Sequence, residues 1–223
     1  MDKKIILLLA SYILGFSNSY AQVTSFNIDS TKFKKEVALE LDSIFFKDQE
    51  YRKQYIQLAR NGADKNELAI ASNNIRIADS LNLITVTKIL DHDGWMGPQD
   101  IGMFASQGLF LVIQHANLTI QEKYLPIVEE AEKNGKTLSS NLAILKDRIA
   151  VRKGQEQPYG SQGFTDKKTK KNFIYPIMDI HNLDKRRAAM GLPPMVEYVP
   201  GWNIEKYNTD LPEIKEAIKI MKQ

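Results

Sequence analysis

Between Thr31 and Arg60 the apolar residues fall on one arc when laid out at about 100° per residue. Val37, Leu41, Ile44, Phe45, Tyr55, Ile56 and Ala59 define that stripe. No Pro or Gly interrupts it, and Asn61-Gly62 supplies a stop. A second helix opens at Asp64-Lys-Asn-Glu67, the spacing of a capping box, and runs towards Leu90 with Ser80 as a point where it could break. Gly94-Trp-Met-Gly-Pro98 reads as a turn. Leu109-Phe-Leu-Val-Ile113 is apolar in every direction around a helix, which predicts a fully buried central helix. Thr119-Ile-Gln-Glu122 caps a further helix ending at Asn134-Gly135. Ser139 or Ser140 starts another, whose apolar arc holds Leu142, Ile144, Leu145, Ile149 and Val151.

After Gly154 the periodicity changes. Asp166-Lys-Lys-Thr-Lys-Lys-Asn172 lies between Gly163-Phe164 and Phe173-Ile-Tyr175 and predicts a charged hairpin tip joining two short strands. A short helix from about Asn182 ends at Gly191-Leu-Pro-Pro194, and Asp210-Leu-Pro-Glu213 caps the terminal helix. With no internal repeat, low-complexity tract or long linker, the expectation is a single compact helical domain over residues 22–223. The fold class is mainly α, with a small C-terminal β-hairpin.

The first residues read as a signal peptide. Lys3 and Lys4 precede an apolar run from Ile5 to Phe16, and Ser19-Tyr20-Ala21 gives a small-x-small cleavage site before Gln22. The run is too short to span a bilayer comfortably, so residues 1–21 are expected to be removed. The product would be exported, periplasmic or secreted, without stable membrane insertion. What remains, roughly 200 residues, can bury a sizeable core. A formal net charge of +3 is too small to argue for nucleic acid. The absence of cysteine rules out disulfides, thiol catalysis and cysteine-ligated zinc.

Several polar residues sit where the helical pattern should be apolar. Arg148, after Asp147, falls inside the Leu142–Val151 arc, and a buried guanidinium costs several kcal/mol unless it is paired and hydrogen-bonded. Asp48 and Arg52, four residues apart, lie near the middle of the first helix's stripe. They read either as a structural salt bridge or as the lining of a polar pocket. Gln114-His115 continues the most buried helix; His115 is a satisfied core residue or a general base titrating near neutrality. Gln157, Tyr159 and Gln162 put amides and a phenol on a Gly-rich loop. Such groups suit sugars, amides or an oxyanion, or else tether the hairpin. Asp91-His-Asp93 looks like a metal triplet, but adjacent positions rarely all face one ion and no HxxxH spacing supports it. No metal site and no cofactor is therefore expected. His181 stands alone before a helix.

These residues carry a resemblance. Asp48-Gln-x-x-Arg52, Gly94-Trp95, Gln114-His115-Ala-Asn117, Leu142-Ala-x-Leu-x-Asp-Arg148, Gly154-x-x-Gln-x-Tyr-Gly-Ser-Gln162, Pro176-Ile-x-Asp179 and Arg186-Arg-x-x-x-Gly-Leu192 together resemble the bacterial domain of unknown function 6624 family, over roughly residues 40 to 198. Asn117 and Ser161 stand where that family commonly has Asp and Thr. The resemblance fixes which residues travel together and implies no activity.

Three readings follow. The first is an exported hydrolase or transferase for a polar or anionic substrate. His115 would be its base, oriented by Asp48 or Asp147, while Arg52 and Arg148 bind charge and Gln114, Gln157, Tyr159 and Gln162 bind ligand. The second is a non-catalytic module for a small polar or saccharide ligand. The third is a helical protein whose polar set is only a buried network.

Overall fold

The stripe of the first helix is what builds the N-terminal half. In the computed structural model, which describes residues 26–166 and 168–222, helix α1 spans Lys35–Arg60. The segment read as a signal peptide lies outside the described residues. A 3₁₀ turn at Ser30–Lys32, capped by the Asp29 carboxylate, leads into α1. Ala38, Leu41, Ile44, Phe45 and Asp48 are its buried residues, so the stripe continues through the aspartate without a break. Helix α2 (Lys65–Asp93) starts at the expected capping box: Asp64 accepts the amides of Asn66 and Glu67, and Glu67 accepts the Asp64 amide. It runs on past Ser80, whose hydroxyl donates to the Arg76 carbonyl at 2.8 Å and so stays satisfied within the helix.

A four-residue helix α3 (Pro98–Ile101) precedes α4 (Met103–His115), in which all of Leu109–Ile113 is buried, as the pattern predicts. Gly108 sets how near α4 comes to α1. A Cβ there would lie 2.7 Å from the Leu41 carbonyl oxygen, so any larger residue would push the helices apart. Helix α5 (Leu118–Lys133) is capped two residues before the expected position. Asn117 accepts the Ile120 amide at 3.0 Å, and Thr119 lies inside the helix. Helices α1, α2 and α4 pack against one another in all three pairings.

Where the sequence reads as one domain, the chain packs as two compact units divided after Thr137. The C-terminal unit opens with α6 (Ser139–Arg152), followed by strands β1 (Gly163–Thr165) and β2 (Asn172–Ile174). The strands are antiparallel with Phe164 opposite Phe173, their rings 5.7 Å apart, and the lysines described at the tip are exposed. Then come α7 (Leu183–Ala189), α8 (Met195–Tyr198) and α9 (Ile204–Lys222). Asn203, not Asp210, caps α9 by accepting the Lys206 amide at 2.7 Å, and Pro212 sits inside the helix. Phe164, Phe173, Ile177, Leu183, Met195, Tyr207 and Ile214 form this unit's core. Among the described residues no helix is long and apolar enough to cross a membrane.

Candidate functional site

In the N-terminal unit, α1, α2 and α4 each turn a polar side chain toward the same cluster. Asp48 from α1 is almost fully buried, and its Oδ1 lies 3.0 Å from His115 Nδ1 on α4. Arg52, one turn on, donates through Nε to the same oxygen at 3.2 Å, and its Nη2 lies 3.1 Å from it. Arg52 Nη2 also donates to Asp79 Oδ1 on α2 at 2.6 Å. The second Asp48 oxygen accepts from the Gln49 amide at 2.8 Å. Four elements of one network therefore follow in order: Asp79, Arg52, Asp48, His115.

Burial acts to raise the Asp48 pKa, but the charges and hydrogen bonds of His115 and Arg52 outweigh it and hold the carboxyl well below the usual range. Asp48 is thus a fixed anion next to the imidazole. A carboxylate there selects the tautomer with the proton on Nδ1, which leaves the lone pair on Nε2. That tautomer suits a general base, but Nε2 is itself buried, so a substrate must enter the unit to reach it. Ligand atoms of Asp48, Asp79 and His115 all lie within 4.8 Å of one another, close enough to share a cation. The Arg52 guanidinium already stands between the two carboxylates and supplies that positive charge. With one guanidinium spread over two carboxylates, Arg52 has little charge left for an anion.

Gln114, next to His115, is buried, and neither its Nε2 nor its Oε1 has a hydrogen-bond partner among the described residues. Its backbone carbonyl accepts from Gln121 Nε2 at 2.7 Å. A buried amide left in that state costs about 1–3 kcal/mol. The Asn82 Nδ2, one turn along α2 from Asp79, is likewise buried and unpartnered.

In the C-terminal unit the other candidates build a loop. Asp147 on α6 accepts the Tyr159 amide at 2.7 Å with one oxygen and the Ser161 amide at 2.7 Å with the other. Both donors of the Gln157 amide go to carbonyls, of Gln162 at 2.9 Å and Tyr175 at 3.0 Å, while its oxygen accepts the Gln162 amide. That side chain clips the loop to the hairpin. Gln162 donates to the Ser161 hydroxyl at 2.9 Å. Arg148 is buried on α6, and its charge acts on the Tyr175 and Tyr198 phenols, against the burial that raises their pKa.

Burial also pushes the Asp147 carboxyl up to about 6, against the lowering pull of the Ser161 and Tyr159 amides and the Arg187 charge. Its unfolded value is 3.8, so between pH 4 and 6 the folded state holds more protons than the unfolded one. Stability from this group is complete below pH 4 and is lost as pH rises through 6. Wild-type protein should therefore lose melting temperature between pH 4 and 7 by an amount that the Asp147→Asn variant lacks. Parallel pH profiles for the two proteins would contradict the assignment.

The profile of the family of unknown function DUF6624 matches residues 36–207. The chain belongs to this family. No curated protein and no solved structure matches the chain. In this DUF6624 chain the quoted motifs serve the two units differently. Asp48, Arg52 and His115 form the N-terminal cluster; Asp147, Gln157, Tyr159 and Gln162 hold the C-terminal loop. Asn117, where the family commonly has Asp, is the N-cap of α5, a place the two residues fill about equally well.

Two participants were not singled out in the sequence. Asp79 completes the arginine network from α2. Arg187 is fully buried in the C-terminal unit and donates to the carbonyls of Pro193 at 2.7 Å and Tyr159 at 2.6 Å, with its guanidinium 4.6 Å over the Tyr198 ring. Arg186 reaches the carbonyls of Pro158, Asp179 and Met178. The 91–93 triplet splits: Asp91 binds Lys123 and Tyr124, Asp93 binds Lys34 and His92, and His92 itself is exposed. His181 is exposed in a 3₁₀ turn.

Proposed function

We propose that this protein is an exported enzyme, a hydrolase or transferase for a polar substrate, with His115 as its general base and Asp48 as the group that orients it. The observation that carries this reading is the 3.0 Å contact between His115 Nδ1 and a buried Asp48 whose carboxyl is held well below the usual range by His115 and Arg52 together. A neutral imidazole held by a carboxylate on one nitrogen takes a proton from water or a substrate hydroxyl on the other. Asp147 is then a loop residue rather than a second orienter, since both of its oxygens bind loop amides. Arg52 helps His115 keep Asp48 ionised; because Asp79 shares its charge, the substrate favoured is polar and uncharged rather than strongly anionic. Export rests on Lys3, Lys4, the apolar run and the Ser19-Tyr20-Ala21 site.

The second reading, a non-catalytic module for a small polar or saccharide ligand, is favoured by the unpartnered amide of Gln114. Such an amide can bind a ligand's hydroxyl or carbonyl without any proton transfer. A panel of ester, amide, glycoside and phosphoester substrates separates the two. Turnover that vanishes in His115→Gln supports the enzyme. A sugar or amide ligand that raises the melting temperature of both proteins equally, with no turnover, supports the binding module.

A further inference from the structure

Helix α2 has a second face. Counted at about 100° per residue, Ile70, Ile77, Leu81 and Ile84 lie on the side of α2 opposite Asp79, Val86 and Leu90. They are 64%, 46%, 61% and 53% exposed. Four large aliphatic side chains on one solvent-facing line of about 21 Å are more than scattered surface residues. Their spacing is specific: Ile70, Ile77 and Ile84 recur every seven residues, and Leu81 adds a flanking position. A seven-residue apolar repeat is the seam by which one helix packs along another.

We propose that this face pairs with the same face of a second copy of the chain, with the two α2 helices antiparallel and crossing at Ile77. An isologous contact requires a self-complementary surface, and this one is. Centred on Ile77, the pairing sets Ile70 of one copy opposite Ile84 of the other and Leu81 opposite Asn73. Lys88, near the C-terminal end of α2, then meets the Asp64–Glu67 turn at the other copy's helix start. That contact joins a cation to two carboxylates and runs the helix dipoles in opposite directions. A lipid surface suits the stripe less well, because its flanks carry Asn66, Asn73 and Asn74 rather than a row of lysines and arginines. The stripe is narrower than the ~800 Å² per partner of a standard interface, so the dimer is a weak one that depends on concentration.

The chain has no cysteine, which makes single-cysteine pairing a clean test. Under mild oxidation, Ile77→Cys should give a disulfide-linked dimer. Ile70→Cys alone should not, yet it should link to Ile84→Cys when the two are mixed. Sedimentation of the unmodified protein over ~1–500 μM should show a monomer–dimer equilibrium, and Ile77→Lys should abolish it while leaving the circular dichroism spectrum unchanged. A monomer at every concentration would overturn the proposal. So would self-linking of Ile70→Cys without the mixed Ile70/Ile84 product, which means parallel pairing. Binding of the monomer to phosphatidylglycerol vesicles, lost in Ile77→Lys, would assign the face to a membrane surface instead.

Discussion

Replacing Arg187 by Met is expected to lower stability more than any other single change in the C-terminal unit. The side chain is fully buried. Its loss leaves the Pro193 and Tyr159 carbonyls without their donors and removes the cation that offsets the Asp147 charge. Breaking a buried ionic group away from its partners costs about 3–5 kcal/mol. In a chain of this size that corresponds to a melting temperature lower by about 10 °C. The loop from Gln157 to Gln162 should loosen first, because Arg187 holds its Tyr159 carbonyl. Hydrogen exchange at the Tyr159 and Ser161 amides reports it directly. Arg187→Lys keeps the charge but not the two-point geometry, and should recover only part of the loss. A melting temperature within about 2 °C of wild type in Arg187→Met would mean that the guanidinium carries less than 1 kcal/mol, and the loop would need another anchor.

The second large effect concerns chemistry rather than stability. His115→Gln should reduce turnover by about 10²–10⁴, the usual contribution of a positioned base. The fold should survive, because a glutamine amide can still donate to Asp48 from a similar place. Asp48→Asn should also be slow, since the amide has no charge with which to hold the imidazole, and it should cost stability as well by leaving Arg52 with only Asp79. This difference separates the roles: one variant loses rate alone, the other loses rate and stability. If His115→Gln melts as early as Asp48→Asn, the imidazole is a structural member of the network, and the enzyme reading fails.

How far the sequence carried depended on whether a residue's environment is set by its own helix. The Asp48–Arg52 pair was legible because both fall on the Val37–Ala59 arc of one helix. Leu109–Ile113 announces its burial without help from any neighbour. Asp79 obeys the same logic, on a line with Ile75, Asn82 and Val86 on α2, but a suspected break at Ser80 cut that line in two. The Ser80 hydroxyl bonds within the helix, so no break forms. Two helix starts were misplaced because a local pattern imitated a cap. Thr119-x-x-Glu122 and Asp210-Leu-Pro-Glu213 have the right spacing, but Asn117 and Asn203 make the bonds.

The roles of Gln157 and Arg187 were beyond sequence reasoning for a different reason. Arg186-Arg187 on a seven-residue helix looks like solvated charge. Only the folded path of the 157–162 loop brings carbonyls to those guanidinium groups. Likewise, the three hydrogen bonds of the Gln157 amide go to residues 162 and 175, contacts that no helical or strand period encodes.

The tautomer of His115 tests the central claim most directly, and it needs no substrate. The chain has three histidines, so long-range proton–nitrogen correlation spectra of the imidazoles can be assigned by single substitutions. In the neutral ring, the orienting role of Asp48 predicts a proton on Nδ1 and none on Nε2, and Asp48→Asn should shift that balance. A ring protonated on Nε2 in the wild-type protein, unchanged by Asp48→Asn, would contradict the account.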